Sequence, residues 1–335
     1  MLDDKAILIT GGTGSFGKKF IKTVLKRHDP RRVIVFSRDE LKQHEMSLTI
    51  DNHRMRYFIG DVRDAARITM AMQDVDIVIH AAALKQVPAL EYNPTEAIRT
   101  NIYGTENVLT AALANDVEQV VVLSTDKAAA PINLYGATKL AADKLTVAAN
   151  NIRGSSKSRF SVVRYGNVIG SRGSVIPLFQ KMVADGATEL PITDLAMTRF
   201  LISLQDGVDF VLKTLERMQG GELFIPKIPS ATIGTIAKAV SSDVKLNEIG
   251  IRPGEKLHEV MCPSDLASLT HEYDEFFLIE PSFKFFHDTN YTQTRLGEKG
   301  RPVAPDFEYN SNTNPDFVDE DALREIIANA MPFDD

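Results

Sequence analysis

Residues 124–139 read Ser-Thr-Asp-Lys-Ala-Ala-Ala-Pro-Ile-Asn-Leu-Tyr-Gly-Ala-Thr-Lys, and the types and spacing within this stretch suit proton transfer. Tyr135 and Lys139 stand four apart at the start of an apolar-periodic helix, so they share one face. A lysine ammonium held near a phenol stabilises the phenolate and lowers the tyrosine pKa from about 10 toward neutral. Tyr135 is then a usable base for a hydroxyl proton. A bare Tyr-x-x-x-Lys is common on helix surfaces. What singles this one out is its place after a strand and the run Thr125-Asp126-Lys127.

The elements around the stretch are those of an open α/β sheet. The apolar run 120–123 reads as a buried strand whose carboxyl end delivers residues 124–139 to the edge where such sheets bind ligands. Pro131 and Asn133 keep the middle of the stretch from turning helical at once. Upstream, the short apolar run 6–10 ends in Gly11-Gly12-Thr13-Gly14-Ser15-Phe16-Gly17, and a helical pattern follows with Phe20, Ile21, Val24 and Leu25 on one face. This G-x-x-G-x-x-G spacing is a variant of the dinucleotide fingerprint, in which pyrophosphate approaches backbone N–H groups at a helix N-terminus. A second strand, 32–36, ends in Ser37-Arg38-Asp39-Glu40. An acidic residue there would serve an NAD ribose, but Ser37 and Arg38 come first and a guanidinium suits a 2′-phosphate. The expected cofactor is NADP, with solvated loop charges as the plain alternative.

Residues 56–62 read as a third strand, with Asp61 and Val62 reaching the adenine region. Residues 75–80 form a fourth, ending in Ala81, Ala82 and Ala83, whose small side chains let the backbone run close to a flat cofactor. His80 is expected to be packed at a strand end and not catalytic. Pro94 opens a helix on which Asn101 lies. An asparagine disfavours a helix interior slightly, so its side chain is expected to fix a water or Lys139, or else to face solvent. Residues 161–168 make a sixth strand and loop. Alternating strands and helices up to this point give a doubly wound parallel sheet. From about Pro177 the segments shorten and prolines scatter. The expected division is a cofactor-binding Rossmann domain, 1–176, and a smaller substrate-binding domain, 177–335, with crossings back to the sheet. Thr193, Arg199 and Arg252 are its candidate contacts. The two arginines suit a diphosphate, although surface ion pairs fit them equally. The acidic tail from 312 is expected to end in a helix at Glu320–Ala330.

The chain has 335 residues, 44% hydrophobic and 25% charged, within the ordinary range for a soluble protein. A net charge of -7 argues against nucleic-acid binding, which needs a concentrated basic surface. The single cysteine, Cys262, excludes intramolecular disulfides, and no Cys/His cluster has metal-ligand spacing. Neither a signal peptide nor a membrane span is apparent, so a cytoplasmic location with no membrane partner is expected.

Taken together and in order, Gly-Gly-Thr-Gly-Ser-Phe-Gly, Ser-Thr-Asp-Lys, Tyr135/Lys139 and the Arg-Pro-Gly-Glu-Lys of residues 252–256 resemble the extended short-chain dehydrogenase/reductase family. More narrowly, the chain is similar to the inverting UDP-N-acetylglucosamine 4,6-dehydratases that begin pseudaminic acid synthesis, over essentially its whole length. Retaining 4,6-dehydratases have Thr-Asp-Glu in place of Thr125-Asp126-Lys127, and 4-epimerases lack the Asp/Lys pair.

The resemblance implies a homo-oligomer such as a hexamer, with UDP-N-acetylglucosamine as substrate. It also implies a reaction: Tyr135 with Lys139 takes the O4 proton as C4 is oxidised, Lys127 removes the C5 proton, and Asp126 protonates the departing C6 hydroxyl, with Thr125 beside them. The product would be a UDP-2-acetamido-2,6-dideoxy-β-L-arabino-hex-4-ulose. Lys127 as base and Asp126 as acid require the neutral pair, which a dry pocket would favour as a coupled unit lying just beyond the strand end. Besides the glycine-rich turn, Lys85, Asn101, Tyr135 and Lys139 are implied cofactor contacts. Implied substrate contacts are Lys85, Thr125, Tyr165, Asn167, Ser171 and Arg172, and further along Val175, Thr193, Arg199, Arg252 and Glu255. A non-catalytic NADP-sensing regulator would keep the glycine turn but lose Tyr135/Lys139. A 4-epimerase, the runner-up among enzymes, needs neither a C5 base nor a C6 acid.

Overall fold

Five-residue β1 (Ala6–Thr10) is buried at every position, as a strand must be when helices cover both faces of its sheet. Each of Ile7, Leu8 and Ile9 contributes about 1.5–3 kcal/mol by leaving water. The computed structural model that places this strand describes residues 2–171, 173–283 and 289–330. Arg172 therefore lies outside the described residues.

After β1 come α1 (Ser15–Arg27), β2 (Arg32–Ser37), α2 (Glu40–Thr49), β3 (Met55–Ile59), α3 (Ala65–Ala71) and β4 (Ile77–His80). Next are α4 (Val87–Tyr92), α5 (Pro94–Ala97), a π-helical turn (Ile98–Tyr103), α6 (Gly104–Ala114), β5 (Gln119–Thr125), α7 (Leu134–Ile152) and β6 (Arg159–Tyr165). The second half holds β7 (Asn167–Val168), α8 (Val175–Ala184), β8 (Glu189–Ile192), β9 (Thr198–Ile202), α9 (Leu204–Arg217) and β10 (Leu223–Pro226). It continues with β11 (Ser230–Thr232), α10 (Ile233–Val240), β12 (Lys245–Glu248), β13 (Val260–Cys262), β14 (Thr270–Glu272) and β15 (Phe276–Ile279), then β16 (Arg301–Pro302), β17 (Tyr309–Asn310) and α11 (Glu320–Ala330).

The 10-stranded sheet runs β16-β14-β15-β10-β6-β5-β4-β1-β2-β3. Every pairing from β10 across to β3 is parallel, while β15, β14 and β16 extend the sheet antiparallel. This is the Rossmann-like α/β fold expected from the alternating pattern. Strand order reverses between β1 and β4, and the crevice at that switch point is where such sheets take ligands. One face is packed by α1 and α9 through Phe20, Val24, Val211 and Leu215, the other by α3 and α6 through Ile68, Val108 and Leu109. A third core, with Phe179, Leu190, Ile236 and Leu323, builds the substrate-side unit from α8, β8, α10 and α11.

The chain after residue 177 returns to the sheet as β10, β14, β15 and β16, and α8 begins at Val175, just short of the expected 176/177 division. Three strands also differ from their sequence reading. β3 ends at Ile59, leaving Asp61 and Val62 in the following turn, where Gly60 N–H bonds Ser37 O at 3.0 Å. β4 starts at Ile77, since Asp76 accepts the Ala6 N–H with its side chain at 2.7 Å and donates its own N–H to Ala6. The stretch 161–168 is divided at Gly166: β6 stays in the main sheet, whereas β7 pairs β9 in a separate sheet, carrying the chain across the cleft. No helix among the described residues is long and apolar enough to cross a membrane.

Candidate active site

Ser124 and Thr125 close β5, and Asp126, Lys127 and Ala128 form a single 3₁₀ turn beyond it, so the acid and the lysine do leave the strand before they diverge. The chain then extends to Asn133, whose side chain caps α7 by accepting the Gly136 N–H at 2.8 Å. Gly136 is required there: a Cβ would stand 2.1 Å from the Lys127 carbonyl oxygen. Its absence lets the first turn of α7, carrying Tyr135, press against the Asp126–Lys127 turn.

These groups open onto one cleft of about 970 Å³. The glycine-rich turn lines one end, with Gly11, Thr13, Gly14, Ser15, Phe16 and Gly17, joined by Ser37, Arg38, Asp61, Val62, Ala81, Ala82 and Ala83. Thr125, Lys127, Tyr135, Lys139 and Lys85 line its middle. Tyr165, Asn167, Ser171, Val175, Thr193 and Arg199 lie toward the substrate-side unit, with Arg252 and Glu255 at its loop. That loop is tied to the segment before α7: Lys256 Nζ donates to Ala129 O at 2.6 Å, and Asn133 Nδ2 to Gly254 O at 2.8 Å. Arg252 is exposed and pairs with Glu255 at 2.5 Å.

Two candidates do not face the cleft. Asp126 is fully buried behind it. Asn101 is buried too, and its side chain neither reaches solvent nor holds Lys139. It accepts the Leu84 N–H at 2.8 Å, donates to Leu84 O at 2.9 Å and to Thr138 Oγ1 at 3.0 Å. It therefore fixes the loop carrying Lys85 to α7, from a π-helical turn, a geometry that recurs at functional sites. His80 is packed as expected, between Thr10 Oγ1 at 2.7 Å and Thr105 Oγ1 at 3.0 Å. Burial, with the Lys139 charge nearby, pushes its imidazole down to about 3.

The electrostatics correct two expectations. Lys139 is buried and donates to Leu123 O at 2.7 Å; burial lowers its pKa against the pull of Asp143. It does not bring the phenol of Tyr135 toward neutrality. Burial instead pushes Tyr135 up to about 12, opposed by the Lys127 charge and a hydrogen bond with Thr125. Nor are Asp126 and Lys127 a neutral pair. Lys127 Nζ lies 3.1 Å from Asp126 Oδ1 and 3.3 Å from Glu259 Oε1, and Arg199 Nε is 3.7 Å from the same Glu259 oxygen. Burial opposes the charge on Lys127, but the two carboxylates outweigh it and hold the ammonium above its ordinary range. For Asp126, burial is likewise outweighed, by Lys127, Thr125 and Arg199, so the carboxylate stays ionised. The two charges stabilise each other more than burial costs them, with Glu259 adding to the hold on Lys127 and Thr125 and Arg199 to that on Asp126.

Glu259 was not anticipated. It stands three residues past Lys256, beyond the loop singled out in the sequence, and only folding brings it to Lys127. Gln43 was missed as well: its Nε2 donates at 3.0 Å to Ser37 O, Ser37 Oγ and Phe58 O, fixing the end of β2. A glutamine on the first turns of the helix after β2 was its only sequence signal.

The profile of the polysaccharide biosynthesis protein family matches residues 7–281. A UDP-N-acetylglucosamine 4,6-dehydratase (inverting) of Campylobacter jejuni subsp. jejuni serotype O:2 is 56% identical over 334 residues, covering 99% of this chain and 100% of that one. A UDP-glucose 4-epimerase of Rickettsia rickettsii is 44% identical, over 92% of this chain and 91% of its own. The X-ray structure of Pen from Bacillus thuringiensis superposes with a TM-score of 0.88 at 36% identity, covering 98% of each chain. The glycine turn, the Tyr135 helix and the Asp126–Lys127 turn thus sit in a scaffold and a sequence that agree, and the chain is an enzyme of the polysaccharide biosynthesis protein family, in the group of the inverting UDP-N-acetylglucosamine 4,6-dehydratases.

Proposed function

We propose that the chain is an NADP-dependent UDP-N-acetylglucosamine 4,6-dehydratase that inverts C5, acting at the start of pseudaminic acid synthesis. The observation that carries this reading is the cluster of Asp126, Lys127, Glu259 and Arg199 packed against the turn that bears Tyr135. Oxidation at C4 needs only the tyrosine; acid and base groups beside it have a use only if C5–H and the C6 hydroxyl react too.

The residues fit a dinucleotide. Gly11 has φ +66°, and a Cβ there would come within 2.9 Å of Ala82 N; at Gly17 it would meet the Gly12 backbone at 2.5 Å. The following helix α1 has no side-chain cap and no acid in its first turn, leaving its N–H groups for a pyrophosphate. At the ribose end Asp39 caps α2, accepting the Lys42 N–H at 3.0 Å and its Nζ at 2.5 Å, so that although it lines the cleft its carboxylate already has partners. Ser37 and the half-exposed Arg38, 3.5 Å from Asp61, present a hydroxyl and a guanidinium beside it. This supports NADP over NAD. The cofactor would supply a hydride acceptor for C4 and a donor for C6.

The chain's own groups handle the protons. The Tyr135 phenolate, the form that the Lys127 ammonium and Thr125 favour against burial, takes the O4 proton, and Lys139 is left to orient the cofactor. The new ketone acidifies C5–H. The Lys127 proton passes to Asp126 Oδ1, and the resulting amine removes C5–H. Asp126, walled off from the cleft, returns its proton through Thr125, whose Oγ1 lies 2.8 Å from Asp126 Oδ1 and which lines the cleft. Thr125 in turn protonates the C6 hydroxyl, which leaves as water, and the Asp126–Lys127 ion pair is restored. The hydride taken from C4 would then enter at C6 and C5 takes a proton on the face opposite Lys127, so that the two protons released, from O4 and C5, balance the two consumed. Arg199 and Arg252 bind the diphosphate.

Incubation with UDP-N-acetylglucosamine should give a product lighter by one water, seen by mass spectrometry. The 44% identical relative favours a second reading, 4-epimerisation; an isomer of unchanged mass would establish it and end the dehydratase reading. For the cofactor, Arg38→Ala should weaken NADP by about 1.5–3 kcal/mol through loss of charge-assisted hydrogen bonds, with NAD little changed. Equal weakening of both in binding titrations would show that Arg38 does not read the 2′-phosphate.

A further inference from the structure

Glu259 is buried to 2% exposure, yet it lines the cleft beside Lys127. Its backbone is anchored on both sides by one residue: Glu259 N–H donates to Ser311 Oγ at 2.9 Å, and Ser311 N–H to Glu259 O at 2.9 Å. Ser311 Oγ also meets Thr198 Oγ1 at 2.6 Å, which meets His258 Nδ1 at 2.9 Å. A carboxylate carried on a backbone anchored this way, with Oε2 buried and unpartnered, is costly unless its charge is used. Among the described residues it pairs with the Lys127 ammonium at 3.3 Å and, further off, with Arg199 at 3.7 Å.

We propose that Glu259 is a positioning residue for the proton-handling pair: from the substrate-side unit it holds the Lys127 ammonium between two carboxylates, and so keeps one proton shared between Lys127 and Asp126 throughout the working pH range. The proposal rests on the reading above, in which that single shared proton serves both as the one shed by Lys127 and as the one delivered to the C6 hydroxyl. Two carboxylates around Lys127 retain the proton; one carboxylate alone releases it to solvent at lower pH. The charged and titratable groups facing Lys127 are Asp126 on its own turn, Glu259 and Arg199 from the substrate-side unit, Lys85 from the loop after β4, Lys256 from the 250–256 loop, and Tyr135 from α7. Of these, Glu259 and Asp126 are the anions, so removing Glu259 leaves the lysine among cations with a single counter-charge.

The sign follows directly. Loss of a negative charge at 3.3 Å makes the ammonium easier to deprotonate. The alkaline limb of water loss should therefore move down by about 1–3 pH units in Glu259→Gln, the range for an opposite charge within about 4–6 Å. Above that limb Lys127 is a free amine but Asp126 has no proton to pass on. Exchange of C5–H with D₂O should then outlast water loss, a separation that a purely structural defect would not produce. Glu259→Asp, which keeps the charge, should restore the limb. Ser311→Ala, which loosens the carboxylate without removing it, should move the limb the same way by less. An unmoved limb in Glu259→Gln overturns the proposal; should that variant fail to fold, an unmoved limb in Ser311→Ala does so. Lys127→Ala separates this failure from that of the underlying reading: normal water loss in that variant would remove Lys127 from the elimination altogether, whereas a stalled Lys127→Ala beside an unmoved Glu259→Gln limb would remove Glu259 alone.

Discussion

Tyr135→Phe should form no reduced nicotinamide on mixing with sugar nucleotide, and turnover should fall by about 10²–10⁴-fold, the usual contribution of a general base. The phenol oxygen is the group at the turn of α7 that can receive the O4 proton, and phenylalanine keeps the ring packing while removing that oxygen. The environment adds a pH signature. Burial pushes Tyr135 up to about 12, and what opposes this is the Lys127 ammonium together with Thr125, not Lys139. A base titrating that high becomes more available as pH rises, so the rate of C4 oxidation in the wild type should climb through the alkaline range. Without the Lys127 charge the phenol loses its main source of relief, and the climb should begin later. Rapid-mixing absorbance at the reduced-nicotinamide band reads both effects. Reduced cofactor forming at the wild-type rate in Tyr135→Phe would mean that another group takes the O4 proton.

What could be read from the sequence was local. The glycine turn between β1 and α1, the non-helical stretch up to Asn133, the position of Asp126 and Lys127 just past β5 and the terminal helix at Glu320–Ala330 are each set by residues within a few positions of one another. The break at Gly166 was not legible, because the residues on either side look like one continuous strand and only the pairing of β7 with β9 divides them. Crossings back to the sheet were expected, but which strands make them, β10, β14, β15 and β16, depends on which edge is open, a property of the assembled sheet. Charge states depend on partners distant in the chain. The Asp126–Lys127 pair was expected to be neutral, but folding brings Glu259 and Arg199 to it from a different unit, and the pair is charged. Helical spacing puts Tyr135 and Lys139 on one face, but the Lys139 ammonium donates to the Leu123 carbonyl and the charge that opposes burial of the phenol is that of Lys127. Asp39 illustrates the reverse. Its position invited a ribose contact, and although it lines the cleft, a helix starts immediately after it and also takes the side chain as a cap.

Lys127→Ala should divide the reaction in two. Tyr135 remains, so C4 is still oxidised, at a more alkaline optimum for the reason given above; C5–H then has no base and the sugar stalls as the 4-ketone. Reduced nicotinamide should accumulate on the enzyme instead of turning over, and overall water loss should fall by about 10²–10⁴-fold. Run in D₂O, the wild type should deliver a product with one deuterium at C5 and inverted configuration there, while the ketone recovered from Lys127→Ala should carry none. NMR of the sugar reads the isotope and the configuration in the same spectrum. Two outcomes count against the mechanism in different ways. Normal deuterium uptake in Lys127→Ala would transfer the base role to another group, with Glu259 the nearest cleft-lining carboxylate to that position. Retention at C5 in the wild type would go further, since a proton returned to the face it left needs no lysine in place of the glutamate that retaining enzymes carry after Thr-Asp, and the inverting reaction itself would have to be given up.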